Sequence, residues 1–360
     1  MTTEILEQPV LASDRRPEVL VGELDAARSD AWDEYVLSHP FGSPFHLNAW
    51  RKSIEETFRY KPVYLMATRA GQICGVLPLF IVKTPLLGKV LLSTPFAVYG
   101  GALTDDTETQ EALRNEVVKL AHRLKVQYVE LRNAHEDQVM GFERVCRYVT
   151  FTQDVCANED KVLESIPRKT RYMVRKSLKQ GFATRVAENP NAFEDLYAKN
   201  LRKLGTPSFP SKFFRCLREN FAGEVDIREV ILDGKLASSV LTFYFRDQAL
   251  PYYGASDPEF NAVAPNNFMY YDLMRWSGAN GYRTFDFGRS KKNVGGSYEF
   301  KSHWGMVERE LPYEMLLVKR KQLPNFTPAN PAFSLPLKIW RNLPLSVTRA
   351  IGPFFLRMIP

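Results

Sequence analysis

Hydrophobic and polar residues recur along this chain with two periods, and the changes of period predict its helices and strands. The helical period predicts helices at 29–38, from Pro44 to about Phe58, and at 105–124, 168–180, 192–204, 212–221 and 266–276. Alternation and short apolar runs predict strands at 18–24, 62–68, 73–82, 91–101, 128–132, 225–232, 236–245, 250–253 and 284–287. Helices and strands mix in both halves of the chain, which indicates an α+β protein.

The second half of the chain repeats the pattern of the first. Residues 71–74 resemble 234–237 as the entry to a hairpin, 99–101 resemble 253–255 before a helix, and 128–131 resemble 284–287 after it. The three offsets are 163, 154 and 156 residues. So steady an offset favours duplication of one α+β unit, and chance similarity between hairpins is the alternative.

Length and patterning predict two domains between less regular ends. A chain of 360 residues has room for about two cores. We predict a leader at 1–17, domains at 18–150 and 151–320, and a tail at 321–360. No apolar run approaches the ~20 residues of a membrane span, and the N-terminus lacks the basic-then-apolar order of a signal peptide. We therefore expect a cytoplasmic protein.

Cysteine spacing excludes some kinds of site. The four cysteines form no CxxC pair and no Cys/His spacing typical of zinc. The sequence therefore predicts reduced thiols, no metal site and no tightly bound cofactor.

The net charge of +7 arises in the tail. Seven bases and no acid lie from residue 319 onward, whereas the rest of the chain balances at 41 against 41. Within the tail, Val347, Ile351, Phe354, Phe355 and Met358 recur at helical spacing. Apolar residues with basic flanks predict either an interfacial segment on an anionic membrane or a helix docked on the protein's own core.

A second basic stretch lies between the two repeats. Eight bases in 161–185 face a single acid, Glu164: Lys161, Arg168, Lys169, Arg171, Arg175, Lys176, Lys179 and Arg185. Such a run is either a solvated surface or a phosphate-binding helix for RNA or a nucleotide-linked substrate, because arginine pairs phosphate oxygens bidentately. For the second case the candidate ligands of phosphate are Arg168, Lys169, Arg171 and Arg175.

The candidate reaction centre is the stretch 284–305, TFDFGRSKKNVGGSYEFKSHWG. A short strand carries Asp286, a glycine-containing loop follows, and one lysine lies between two large aromatic residues. The loop contributes Arg289, Lys291 and Lys292, and the bracketed lysine is Lys301 between Phe300 and Trp304. This set suits an anionic or carbonyl-containing substrate, and a solvated basic loop with core-packed rings is the alternative.

Five segments together resemble a known family. YGAS (253–256), the helix at 266–276, FDFG (285–288) and FKSHWG (300–305) occur in the order found in Fem-type aminoacyltransferases and the related BioF2-like acyltransferases, and 168–182 is similar to the family's basic helix. The resemblance covers roughly 18–319. The tail is similar to that of the FemAB-like subgroup associated with PEP-CTERM/exosortase systems and exopolysaccharide production.

The resemblance implies two tandem GNAT-like domains, each a mixed, mostly antiparallel sheet flanked by helices. It also implies attack by an amine on an activated acyl group, with the motif lysine, Lys301, near the centre of transfer. A fixed cation there would stabilise the oxyanion of the tetrahedral intermediate. Asp286 is then a candidate proton acceptor or relay, or else a structural acid that caps the turn at Gly288.

Further side chains have candidate roles in the same reaction. Tyr253 could hydrogen-bond the intermediate or only pack in the core. Phe300 and Trp304 are placed to position Lys301 beside the substrate. His303 is a possible general base, although the family motif does not require histidine at that position. The N-terminal half lacks a counterpart of 300–305, which predicts that it has a supporting role.

The acyl donor implied by the resemblance is aminoacyl-tRNA or acyl-CoA, and the acceptor is an amine of a cell-envelope or exopolysaccharide precursor at the inner membrane. The loop Arg/Gln-x-x-Gly-x-Gly/Ala, which holds coenzyme A pyrophosphate at a helix N-terminus, is not found. The nearest string, 275–280, ends in asparagine at a helix end. Two alternatives remain, an acyl-CoA-dependent N-acetyltransferase and a non-catalytic binding protein of polysaccharide assembly.

Overall fold

The structure is a computed structural model that describes residues 16–323 and 334–358. Nearly all of the predicted leader (1–15) and part of the predicted tail (324–333 and 359–360) lie outside the described residues. Within the described residues, no helix has the length and apolar content needed to cross a bilayer.

The chain forms two halves of similar order and a helical tail. The N-terminal half contains β1 (Val19–Glu23), α1 (Ser29–Ser38), α2 (Asn48–Phe58), β2 (Lys61–Pro62), β3 (Leu65–Arg69), β4 (Gln72–Leu77), β5 (Phe80–Thr84), β6 (Gly88–Leu92), β7 (Leu103–Thr104), α3 (Thr107–Leu124), β8 (Tyr128–Leu131) and β9 (Glu143–Val145). The C-terminal half begins with β10 (Tyr148–Asp154), α4 (Glu159–Ser165), α5 (Arg168–Ser177), β11 (Ala183–Val186), α6 (Asn191–Leu204), α7 (Ser211–Asn220), β12 (Val225–Leu232), β13 (Lys235–Phe245) and β14 (Gln248–Ser256). It ends with α8 (Pro265–Ala279), β15 (Thr284–Asp286), β16 (Ser290–Lys291), α9 (Gly295–Ser302), β17 (Val307–Glu310) and β18 (Tyr313–Leu317), and the tail contains α10 (Ser334–Asn342) and α11 (Leu345–Leu356).

The strands form three sheets flanked by helices, one antiparallel and two mixed. One sheet has the order β1-β3-β4-β7, a second β2-β5-β6-β8-β18-β9, and the third β11-β12-β13-β14-β15-β10-β16 with β17 paired to β10. This confirms the predicted α+β class. The similarity of the halves extends to the hairpins β3–β4 and β12–β13. Each turns on a residue pair with positive φ, Ala70-Gly71 (49° and 82°) and Asp233-Gly234 (49° and 75°).

Each half also contains a parallel strand pair that separates after two residues. In the C-terminal half, β14 and β15 pair only at Gln248–Thr284 and Ala249–Phe285. In the N-terminal half, β6 and β8 pair only at Leu91–Val129 and Leu92–Glu130. Beyond these pairs the two strands are not paired with each other, and we call the unpaired region between them the wedge.

The wedge of the N-terminal half is closed by its own residues. The guanidinium of Arg132, which directly follows β8, donates to the carbonyl oxygens of Thr94 at 2.7 Å and Ala97 at 3.0 Å. Arg132 is 3% exposed. The Arg132 side chain therefore connects the chain after β8 to the turn after β6. The corresponding positions of the C-terminal half border the wedge.

A two-stranded ribbon connects the two halves. β10 follows β9 directly but pairs with β15 and β17 of the third sheet, while β18 returns to pair with β8 and β9 of the second sheet. The boundary predicted at 150/151 thus falls inside β10, and the last strand of the predicted second domain completes a sheet of the first. The large buried cluster also spans both halves, since the rings of Trp50 and Phe213 contact edge to face.

Two predicted strands differ from the observed ones. The strand predicted at 73–82 is divided into β4 and β5, because Pro78 has no N–H for a ladder. The strand predicted at 91–101 ends at Leu92, and a compact turn follows in which Phe96 has a φ of +61°. The glycine-containing loop predicted after β15 ends at helix α9 (Gly295–Ser302), which was not predicted.

Candidate active site

The wedge beside β14 is bordered by a bulge that carries two tyrosines. In the β13–β14 ladder, Leu241 pairs with Tyr253 and Thr242 with Pro251, so Tyr252 is the extra residue. Both hydroxyls reach the carbonyl oxygen of Phe96, Tyr252 at 3.1 Å and Tyr253 at 3.4 Å. Because Phe96 belongs to the N-terminal half, the bulge holds the two halves together.

Tyr253 is almost fully buried in an aromatic cluster. Its ring contacts those of Tyr197, Phe209, Phe213 and Phe214, with centroid distances of 5.4–5.9 Å. Burial raises the pKa of Tyr253 well above its usual value, so the phenol stays protonated. The geometry therefore matches the packing role considered for this residue.

Asp286 lies at the end of β15 with both carboxylate oxygens hydrogen-bonded. One oxygen accepts the hydroxyl of Tyr99 at 2.5 Å. The other accepts the hydroxyl of Thr150 at 2.8 Å and the backbone N–H of Gly288 at 2.7 Å. Asp286 is 4% exposed. It does cap the turn at Gly288, and in addition it links that turn to the N-terminal half.

Lys301 points from α9 into the loop that follows β15. Its ammonium donates to three consecutive carbonyl oxygens, those of Phe287 at 2.6 Å, Gly288 at 3.1 Å and Arg289 at 3.2 Å. Burial lowers the pKa of Lys301 to about 8, the carboxylate of Asp286 opposes that shift, and the Arg289 guanidinium adds to it. All three donors are thus used within the protein, and the cation fixes the path of the loop.

The other cations of this loop point to separate neighbours. The Arg289 guanidinium lies over the ring of Tyr148, 4.4 Å from its centroid. Lys292 forms an ion pair with Glu310 of β17. Lys291 is half-buried, and its pKa is lowered by burial and then by Arg289. The structure does not bring these three predicted substrate-binding residues to one point.

An aromatic wall supports α9. Trp304 is fully buried and lies 5.6 Å from Phe287 and 5.9 Å from Phe300, between ring centroids. Tyr270 of α8 packs on Phe287 at 4.8 Å. These contacts fix the helix that carries Lys301, which agrees with a positioning role for the two aromatic residues.

A cleft of about 590 Å³ joins the basic helix to the aromatic motif. It is lined by Pro167, Arg168, Lys169, Thr170 and Met173 of the α5 segment, by Asn267 in the first turn of α8, and by Phe300, Ser302, His303 and Trp304. Arg168 and Lys169 are exposed and have no hydrogen-bonding or ionic partner among the described residues. The lining of the cleft therefore combines cationic residues from α5 with aromatic residues from 300–304.

Two contacts hold these two parts of the lining together. The hydroxyl of Thr170 donates to the carbonyl oxygen of His303 at 2.6 Å. Gly305 has a φ of +73°, and a Cβ there would lie 2.7 Å from Pro167. The glycine that ends FKSHWG is thus required both by its backbone angle and by the close approach of α5.

The remaining predicted cations of α5 do not line the cleft. Arg171 donates to the carbonyl oxygens of Ile166 at 3.0 Å and Glu164 at 2.9 Å, and so closes the end of α4. Arg175 is exposed on a surface away from the cleft lining.

Sequence reasoning missed three residues of the site. Tyr99 and Thr150 hold Asp286 from outside its own segment, and Asn267 lines the cleft. The repeat had singled out 99–101 as the counterpart of 253–255, and that was the available signal for Tyr99. No sequence pattern indicated the roles of Thr150 and Asn267. Among the described residues, no group of three or more His, Cys, Asp or Glu could hold a metal ion.

The comparisons with known proteins agree with this geometry. Residues 168–302 match the acetyltransferase (GNAT) domain family. The protein is an acyltransferase with a tandem GNAT fold. The matched range runs from the first residue of α5 to the last residue of α9, so it contains both Asp286 and Lys301. No curated protein matches the sequence significantly.

Several solved structures have a similar fold at low sequence identity. FemX superposes with a TM-score of 0.68 at 17% identity and covers 88% of this chain and 100% of its own. The lysylphosphatidylglycerol synthetase of Bacillus licheniformis superposes with a TM-score of 0.54 at 13% identity, and the match covers 93% of this chain and 98% of the synthetase chain. A tandem GNAT protein from the clavulanic acid biosynthesis pathway superposes with a TM-score of 0.53 at 11% identity, and the match covers 85% of this chain and 100% of that protein's chain. The predicted tandem GNAT architecture is confirmed.

Proposed function

We propose that the protein is an N-acyltransferase that transfers an aminoacyl or acyl group to an amine of a cell-envelope or exopolysaccharide precursor. The observation that carries this proposal is the cleft whose lining includes Arg168, Lys169, Phe300 and Trp304. The proposal puts the reaction in the cytoplasm at the inner membrane, and it includes the narrower resemblance to the PEP-CTERM-associated subgroup.

The cleft is assigned to the acyl donor. A donor of either candidate class carries phosphate groups, and the two exposed cations at the mouth can pair with them. The aromatic wall and Asn267, in the first turn of α8, then border the acyl end. Arg289, Lys291 and Lys292 contribute positive charge along the loop rather than a common binding point.

Transfer proceeds by attack of the acceptor nitrogen on the acyl carbonyl carbon. The new C–N bond forms as the carbonyl electrons move to oxygen, and collapse of that intermediate expels the donor's oxygen or sulfur with its bonding electrons. Lys301 orders the loop 287–289 beside the wedge, and its charge stabilises the developing oxyanion. Asp286 is the proposed acceptor of the proton that the amine loses.

The second candidate is an acyl-CoA-dependent N-acetyltransferase. It is favoured by the match to a domain family described as acetyltransferase. Against it stands the position of 275–280, because this string lies at the C-terminal end of α8, whereas pyrophosphate binds at helix N-termini. The names of the lysylphosphatidylglycerol synthetases, which share the fold, support testing aminoacyl transfer first.

The deciding experiment is calorimetric titration of the protein with acetyl-CoA, a longer acyl-CoA and aminoacyl-tRNA in parallel. We expect saturable binding of aminoacyl-tRNA, weakened by substitution of Arg168 and Lys169. Binding of a coenzyme A thioester alone would establish the second candidate. Absence of binding by all three donors would overturn the proposed function.

A further inference from the structure

The tail is docked on the protein through one face of α11. Its buried residues, Thr348, Gly352 and Leu356, follow one another at intervals of four, and they lie on one side of the helix. The hydroxyl of Ser208 donates to the carbonyl oxygen of Thr348 at 3.1 Å. A Cβ on Gly352 would lie 2.4 Å from the Ser208 hydroxyl, so α11 packs directly against the loop between α6 and α7.

Further contacts fix the orientation of the docked tail. The hydroxyl of Tyr60 donates to the carbonyl oxygen of Arg357 at 2.8 Å, and the Arg357 guanidinium donates to that of Thr57 at 3.0 Å. Arg202 of α6 donates to the carbonyl oxygen of Leu343, between α10 and α11, at 3.1 Å. Arg349 forms an ion pair with Asp195. Together these contacts fix the orientation of α11 about its own axis.

A second side of the tail is apolar and exposed. Val347, Ile351, Phe354 and Phe355 on α11 are 39%, 37%, 62% and 42% exposed, and Ile339 on α10 is 55% exposed. We call these five residues the outer face. Their spacing along α11 is that of one helical stripe, so docking does not bury them but presents them together.

The charged residues of the tail itself all have one sign. No acidic residue occurs from 319 to 360, and Lys338 and Arg341 lie on the same helix as Ile339. Exposed apolar residues flanked by bases suit a surface that offers both hydrocarbon and negative charge. A second copy of the same surface would bring like charges together, which disfavours self-association through it.

We propose that the outer face is a docking surface for an anionic lipid bilayer. The two hypotheses for the tail, membrane contact and docking on the core, then apply to different sides of the same helices. Phe354 and Val347 enter the boundary between headgroups and acyl chains, and Lys338 and Arg341 pair with lipid phosphates. This deepens the membrane location in the proposed function, but it makes no use of the reaction centre.

The test is co-sedimentation of the full chain with vesicles of phosphatidylcholine alone and with vesicles that also contain phosphatidylglycerol. We expect binding to the anionic vesicles, weakened by salt. The double variant Val347→Ser/Phe354→Ser should lower partitioning by roughly tenfold or more, because apolar contact with the bilayer is lost. Lys338→Gln should weaken binding to anionic vesicles alone.

The matched control is Leu20→Ser/Val186→Ser, which replaces two exposed apolar residues outside the tail, 64% and 54% exposed. It should bind vesicles like the unmodified chain, and all variants should unfold at the same temperature. Equal vesicle binding by the outer-face variant would overturn the proposal, and so would a dimer in sedimentation that only this variant dissociates. Because the assay contains no acyl donor, its result is independent of whether the proposed transfer activity is found.

Discussion

The hydroxyl of Tyr99, in the N-terminal half, donates a 2.5 Å hydrogen bond to the carboxylate of Asp286, in the C-terminal half. Asp286 also accepts hydrogen bonds from Thr150 and from the backbone of Gly288, whose carbonyl oxygen is one of the three held by Lys301. The N-terminal half thus supports the geometry of the candidate reaction centre from behind. This contact allows the structural and chemical roles of Asp286 to be separated by substitution.

Asp286→Asn should lower both stability and transfer, whereas Tyr99→Phe should lower mainly stability. Each substitution disturbs a buried hydrogen bond, at a cost of about 1–3 kcal/mol in the free energy of unfolding. Only the first removes the proposed proton acceptor, which should slow transfer by roughly 10²-fold or more. The measurements are urea unfolding and initial transfer rates. Equal loss of rate in both variants would assign Asp286 a purely structural role.

Lys301→Ala should abolish transfer while the protein remains folded. The fold should lose about 1–3 kcal/mol of stability, because three backbone carbonyls lose their common donor. Lys235→Ala is the matched control, since it removes an exposed lysine outside the site whose partner is the exposed Glu259. Near-normal turnover by Lys301→Ala would contradict the proposed mechanism.

The pH dependence of Lys301 should act in opposite directions on rate and stability. Its pKa is lowered to about 8 in the folded protein, against roughly 10.4 for an unperturbed lysine. If the ammonium is required, transfer falls as pH rises through about 8. Between these two values the unfolded chain holds more protons, so the Lys301 contribution to stability rises with pH. Rate and unfolding profiles compared with those of Lys301→Ala would isolate both effects.

Arg168→Gln/Lys169→Gln should weaken donor binding, whereas Arg175→Gln should leave it nearly unchanged. The first two residues line the cleft, and the third lies on the same helix outside it. Loss of two phosphate contacts should raise the dissociation constant by roughly tenfold or more and reduce its dependence on salt. Equal effects of the two variants would mean that α5 attracts the donor only through its overall charge.

Gly352→Ala should loosen the tail without altering the reaction centre. The added methyl group would lie 2.4 Å from the Ser208 hydroxyl and 2.8 Å from its backbone nitrogen. We expect a cost of about 1–3 kcal/mol and faster amide exchange in 345–356. Gly22→Ala is the control, because nothing lies within 4 Å of a Cβ there. Unchanged exchange would contradict the docking described for α11.

Elements with a strong local pattern could be predicted from the sequence. The helix predicted at 29–38 is observed as Ser29–Ser38, and the basic helix begins at Arg168 as expected. The first of these helices has apolar residues at helical spacing, and two of them, Trp32 and Val36, are buried. The helix α9 was missed because its sequence, GGSYEFKS, begins with two glycines, and every one of its residues stays at least partly exposed.

The site could be predicted by residue type but not by contact. FKSHWG and FDFG drew attention to Lys301 and Asp286, yet the partners of both depend on tertiary structure. The acceptors of Lys301 are backbone carbonyls, which every residue possesses and no sequence pattern marks. Thr150 lies 136 residues from Asp286, and Arg168 and Phe300 line one cleft only because α5 is hydrogen-bonded to the residue that follows α9. Periodicity reports local exposure and carries no information about such pairings.

The ribbon of β9–β10 and β17–β18 constrains the order in which the protein can form during synthesis. Met315 pairs with Glu130 and Glu143, so a strand in the sheet of the N-terminal half leaves the ribosome after nearly all of the C-terminal half. Translation delivers the N-terminal half first, but its sheet is complete only once β18 has emerged. Until then the edge of β8 is unpaired and can pair with other chains. Aggregation through this edge is therefore a hazard of that interval, and a chaperone that covered the edge would prevent it.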